Sequence, residues 1–114
     1  MHELSLVRGI FKTLEEEFQR EEMDRLHTVK MKVGQLSNVE PILMQNAFSA
    51  VKADQPEYGD VNLEIEVLPI EIYCDKCDKR CQVENYRFVC ACGMPTNNVV
   101  QGTELLIHQV QFSD

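Results

Sequence analysis

The spacing of five cysteines restricts this chain more than any other feature: Cys74-x-x-Cys77, twelve intervening residues, then Cys90-x-Cys92-Gly93, with Cys81 between the two pairs. Each close pair suits a tight turn, and a hairpin-length spacer can bring two such turns together around one ion with tetrahedral angles. Disulfides use cysteines in pairs, so an odd count in one short window favours metal ligation over a disulfide framework. Zinc is the expected occupant, because it is redox-silent and prefers thiolates in this geometry. The second pair is C-x-C where C-x-x-C is commoner. If that shorter turn cannot place both sulfurs, Cys81 is the substitute for Cys90 or Cys92. Four protein ligands close the shell and leave no position for water or substrate, which predicts a structural Zn2+ site on Cys74, Cys77, Cys90 and Cys92. The segment has little apolar content, so metal binding should supply much of its folding energy. An iron-bearing, rubredoxin-like carrier would use similar ligands, and colour separates the two, since ferric tetrathiolate absorbs visible light and zinc does not.

Around this block the hydropathy pattern switches period. Leu4, Val7, Phe11, Leu14 and Phe18 recur at steps of three and four, which predicts an amphipathic helix from about Leu4 to Met23. Val29, Met31 and Val33 alternate with Lys30 and Lys32, giving a half-buried strand over Thr28–Gln35. Pro41 suits a first helical turn, and Ile42, Leu43, Ala47, Phe48 and Val51 form the stripe of a second helix to about Ala53. Val61, Leu63, Ile65 and Val67 alternate as the clearest strand, and β-formers return over Thr103–Phe112. Two helices covering one face of a three-stranded sheet would bury both stripes, so the expected fold class is α+β with a four-cysteine zinc knuckle inserted before the last strand.

At 114 residues the chain can bury one modest core, with a metal-stapled appendage at most. Its formal net charge of -8 repels phosphate backbones. Even locally, residues 70–98 balance Glu71, Asp75, Asp78 and Glu84 against Lys76, Lys79, Arg80 and Arg87, so no basic stripe marks a nucleic-acid surface. The opening residues lack the charged and apolar regions of a secretory signal, and no run approaches a membrane span, so a cytoplasmic location with neither membrane nor nucleic-acid partner is expected. No nucleophile–base motif or glycine-rich phosphate loop is present, which speaks against an enzyme. His27 and His108 read as surface or sheet histidines, and Glu15–Glu17 as a solvated helix face. Glu40, before Pro41, is either a helix cap or a partner-facing carboxylate.

Met1-His2-Glu3 forms the second constellation. A free α-amine, the His2 backbone nitrogen and the His2 imidazole can close fused chelate rings around one cation, with the Glu3 backbone nitrogen near enough to be a fourth ligand. Nitrogen-rich planar sites favour nickel(II) or copper(II) over zinc. A histidine at position two is, equally, a common feature of frayed polar termini.

Met1-His2-Glu3-Leu4-Ser5-Leu6-Val7, Val33-Gly34 followed by Val39-Glu40-Pro41, the cysteine pairs, and Gly102-Thr103-Glu104-Leu105 together resemble the HypA family of hydrogenase maturation nickel metallochaperones. The resemblance covers essentially the whole chain, in order. It implies Ni2+ as cargo on Met1, His2 and Glu3, with the histidine as the indispensable side chain, and structural Zn2+ on Cys74, Cys77, Cys90 and Cys92. It also implies the maturation GTPase HypB as partner, the large subunit of [NiFe]-hydrogenase as client and, in some organisms, urease maturation proteins. The corresponding division is a nickel-binding α+β domain of residues 1–69 and 103–114, and a zinc-binding domain of residues 70–102. The competing class is a zinc-ribbon interaction module for nucleic acid or protein; tight, salt-sensitive DNA or RNA binding would favour it.

Overall fold

The computed structural model describes residues 3–114. The elements run α1 (Glu3–Glu17), α2 (Arg20–Met23), β1 (Leu26–Gly34), α3 (Pro41–Asp54), a 3-10 turn (Pro56–Tyr58), β2 (Asn62–Leu68), β3 (Glu71–Cys74), β4 (Lys79–Gln82), β5 (Val99–Gln101) and β6 (Leu105–Phe112). They build two three-stranded sheets, ordered β2-β1-β6 and β4-β3-β5. The expected α+β class and three-stranded sheet under two long helices are present. The cysteine segment contributes a second sheet of its own.

In the first sheet β1 is central. It pairs with β2 in parallel, through the α3 crossover, and with β6 antiparallel. A central strand is flanked on both edges: Val29, Met31 and Val33 fall to 3 % exposure or less, while their register partners on the edge strand β2 run from buried Leu63 through half-buried Ile65 to exposed Val67. Val7, Ile10, Phe11 and Leu14 of α1 meet Met44, Ala47, Phe48 and Val51 of α3 over this sheet. The Phe11 ring stacks between Phe48 (centroids 5.3 Å) and Tyr58 (4.7 Å), an offset aromatic pile that fixes the helix pair beyond its area burial.

Two details depart from the periodicity. The expected helix to Met23 is interrupted: Gln19 is extended (φ -74, ψ 162), and its backbone N–H donates to Glu22 Oε1 at 3.0 Å, which starts α2 as a separate turn. That break sets Phe18 edge-on against Phe112 and buries Met23. The Gln19-x-x-Glu22 spacing was the available signal, a weak relative of the capping box. In α3 the buried face is Met44, Ala47, Phe48 and Val51, steps of three, one and three on one side of the helix, leaving Ile42 69 % and Leu43 49 % exposed. Glu40 occupies the N-cap position of α3 without a side-chain capping bond. His27 and His108 are both exposed.

A second, smaller cluster of Ile70, Ile72 and Val83 backs the β4-β3-β5 sheet, with Leu36, Cys81, Phe88 and Val99 packed against it. The two sheets meet where the strands leading into and out of the cysteine segment pass the turn after β1. There Gly34 N–H donates to the Glu104 carbonyl, Gln35 N–H to that of Leu68, and Leu36 N–H to that of Gly102. The Gln35 side chain accepts from Ile70 N–H at 3.1 Å. A Cβ at Gly34 would collide with the Gly102 carbonyl, so the close approach of the two backbones requires glycine. The described residues extend 53 × 25 × 19 Å.

Candidate metal centre

Cys74 ends β3, opposite Lys79 on β4, and residues 75–78 form the connecting turn. Asp78 closes that turn at φ 51, a left-handed conformation that aspartate tolerates better than most residues. The Tyr73 hydroxyl donates to its carboxylate across the hairpin. This turn holds Cys77 over the end of the strand that carries Cys74. On the opposite side, Cys90 N–H donates to the Met94 carbonyl and Gly93 N–H to the Cys90 carbonyl, at 2.9 and 2.8 Å. Gly93, at φ 91, supplies the left-handed residue of that turn. The short C-x-C pair therefore works because the turn is completed by the glycine beyond it.

The four sulfurs of Cys74, Cys77, Cys90 and Cys92 all lie within 4.8 Å of one another. Two of their separations, Cys74–Cys92 and Cys77–Cys90, are 3.8 Å. A zinc tetrathiolate with Zn–S of about 2.3 Å has tetrahedral edges of about 3.8 Å, so this donor set fits such an ion in size as well as in chemistry. All five cysteines are free thiols. Cys74 and Cys90 are buried, Cys77 is half-buried and Cys92 is exposed, so the cluster is walled on one side and open to solvent on the other.

Protonation within the cluster is shared unevenly. Sulfur–hydrogen contacts with Cys92 and then Cys90 push the Cys77 thiol well above the ordinary cysteine range. The Cys90 thiol pKa is lowered, chiefly by its hydrogen bond with the Cys81 sulfur, with a backbone hydrogen bond from Cys92 as the next cause. Crowded thiols hold their protons because adjacent thiolates repel, and a central dication reverses that preference. Cys81, on β4, is the residue whose place the cysteine spacing left open. It stands outside the group of four, with its sulfur 3.0 Å from that of Cys90.

Of the amino-terminal constellation, Glu3 opens α1 and places a carboxylate in its first turn. Met1 and His2 lie outside the described residues. The second sheet, and the approach of Cys81 to Cys90, were missed by sequence reasoning; strands of three or four residues show too few alternations to register.

A family model described as "Hydrogenase/urease nickel incorporation, metallochaperone, hypA" matches residues 1–112. A hydrogenase maturation factor HypA of Desulfitobacterium hafniense is 33 % identical over 115 residues, covering 100 % of both chains. One from Alkalilimnicola ehrlichii is 37 % identical over 112 residues, covering 97 % of this chain and 98 % of its own. Among solved structures, the solution structure of the nickel metallochaperone HypA from Helicobacter pylori superposes with a TM-score of 0.63 at 22 % identity, over 98 % of this chain and 97 % of that one. Another HypA solution structure gives a TM-score of 0.67, also at 22 % identity, over 99 % and 97 % of the two chains. The structural likeness establishes the fold, and the match along the sequence establishes the lineage. No helix among the described residues is long and apolar enough to cross a membrane. From its first residue to its last strand, this chain belongs to the HypA family of metallochaperones for nickel incorporation into hydrogenase and urease.

Proposed function

We propose that this chain carries Ni2+ on Met1, His2 and Glu3 and delivers it during [NiFe]-hydrogenase maturation, while Zn2+ held by Cys74, Cys77, Cys90 and Cys92 braces the second sheet. The observation that carries this reading is the family match beginning at residue 1, so that it takes in Met1-His2-Glu3 as well as the four cysteines. The zinc part is further supported by the fit of the 3.8 Å sulfur separations to a tetrathiolate. In this reading residues 70–102 are a zinc-binding domain inserted in a nickel-binding domain of residues 1–69 and 103–114. The function is carriage rather than catalysis: a four-thiolate shell leaves no open position.

A terminal seat built from one amine, backbone nitrogens and a single imidazole binds a transition metal without enclosing it, which suits release to a client. The expected partners are the maturation GTPase HypB and the hydrogenase large subunit, with urease maturation proteins where that pathway is served, all in the cytoplasm. The net charge of -8 suits a basic docking patch on such a partner.

Metal analysis of untagged protein after nickel loading tests the proposal. It should show close to one nickel and one zinc per chain, and His2→Ala should lose the nickel and keep the zinc. Nickel retained by the alanine variant overturns the amino-terminal assignment.

A further inference from the structure

Cys81 belongs to neither pair of the proposed zinc shell, yet its sulfur lies nearer to that of Cys90, at 3.0 Å, than Cys74 lies to Cys92 or Cys77 to Cys90, both at 3.8 Å. The Cys81–Cys90 separation is about 1 Å longer than a disulfide bond. Cys81 is carried by β4, opposite Ile72 of β3, and is half-buried against the small apolar cluster. Cys90 is carried by the Gly93 turn. Both residues line one solvent-facing cleft of about 620 Å³, together with Lys79, Arg80, Glu84 and Arg87, and no other cysteine of the cluster lines it.

We propose that Cys81 and Cys90 form a thiol-oxidation site for hydroperoxides, in which a disulfide between them withdraws Cys90 from the four-cysteine shell and lets its metal leave. This rests on the reading of those four cysteines as the zinc site. The Cys81 sulfur, half-buried where Cys90 is buried, attacks the peroxide O–O bond as its thiolate, becoming a sulfenic acid and releasing hydroxide. The Cys90 thiolate then attacks the Cys81 sulfur, forming the disulfide and expelling hydroxide, which takes a proton from solvent to become water. Two thiol sulfurs are oxidised by two electrons in total and one hydrogen peroxide is reduced. Cys74, Cys77 and Cys92 remain, a three-sulfur set that no longer closes a tetrahedral shell. Because the second sheet is backed by a small apolar cluster of three buried residues, Ile70, Ile72 and Val83, loss of the metal loosens the whole segment. The device makes zinc retention, and with it the form of this end of the molecule, sensitive to oxidant.

The test uses the full-length, untagged, reduced protein, first assayed for zinc. Hydrogen peroxide is added and zinc release is followed with a chromogenic chelator, in parallel for the wild type and Cys81→Ser. Trypsin cleaves after Arg80 and Arg87, which separates Cys81, on residues 81–87, from Cys90 and Cys92, on residues 88–114. Fragmentation of the linked peptide then identifies the bonded cysteine. The expected result is a Cys81–Cys90 link, peroxide-driven zinc release in the wild type that is lost in Cys81→Ser, and recovery on adding dithiothreitol and zinc. Equal release rates, or a free Cys81 in zinc-depleted protein, overturn the redox step. A Cys81→Ser variant that holds no zinc before oxidation overturns it too, since Cys81 would then be a ligand. A reduced wild type without zinc overturns the zinc reading itself.

Discussion

Replacing Tyr58 with phenylalanine isolates one contact whose size follows from the geometry. The ring is 1 % exposed and stacks on Phe11, and its hydroxyl donates to Glu15 Oε2 at 2.6 Å, tying the 3-10 turn after α3 to α1. The substitution keeps the stack and removes only the hydroxyl. A hydrogen bond to a charged group contributes about 1.5–3 kcal/mol, but Glu15 lies on the exposed face of α1, so screening brings the expected loss at neutral pH to about 1 kcal/mol. Burial, followed by the hydrogen bond and charge of Glu15, raises the hydroxyl pKa from 10.0 to about 12, against a smaller lowering by Arg20. The unfolded chain therefore ionises Tyr58 near pH 10 while the folded chain keeps the proton. Its stabilising effect is complete below pH 10 and is lost as pH rises towards 12, to an upper bound of about 2–3 kcal/mol. Phenylalanine has no such loss, so the deficit of Tyr58→Phe should shrink through pH 10 and vanish near pH 11. Urea unfolding followed by helical circular dichroism, with tyrosinate absorbance recorded on both proteins, measures both effects. Equal stabilities at neutral pH, or a Tyr58 that titrates near 10 in the folded protein, would refute the reasoning.

Other perturbations test the remaining parts. Gly34→Ala forces a methyl group into the Gly102 backbone, and should cost at least about 2 kcal/mol; an unchanged thermal midpoint would show that this crossing relaxes freely. Stripping zinc with a chelator should abolish amide protection in Glu71–Cys74, Lys79–Gln82 and Val99–Gln101 while sparing β1, as read by hydrogen exchange. Uniform protection before and after chelation would mean that the second sheet folds without metal. Nickel binding should weaken as pH falls through about 6.5, where protons compete for the His2 imidazole; calorimetric titrations that give a pH-independent affinity would remove that imidazole from the ligand set.

Much of this protein is written locally. The alternation of Val29, Met31 and Val33, and of Leu63, Ile65 and Val67, marked β1 and β2 because neighbouring side chains on a strand face opposite sides. The steps of three and four from Val7 to Leu14 marked α1 for the corresponding helical reason. The cysteine pairs needed only their spacing to announce a metal centre, and the order of motifs along the chain announced the family. What chain-distant contacts decide was hidden from that reading. The middle position of β1 depends on pairings with β2 and β6, which come from far apart in the sequence. The strands β3, β4 and β5 are too short to show a period and exist through mutual pairing. The requirement for glycine at Gly34 arises from the Gly102 backbone, sixty-eight positions away. The spacing that placed Cys81 between the pairs said nothing of its approach to Cys90, because that contact is made by two separate turns meeting across a sheet rather than by neighbours along the chain.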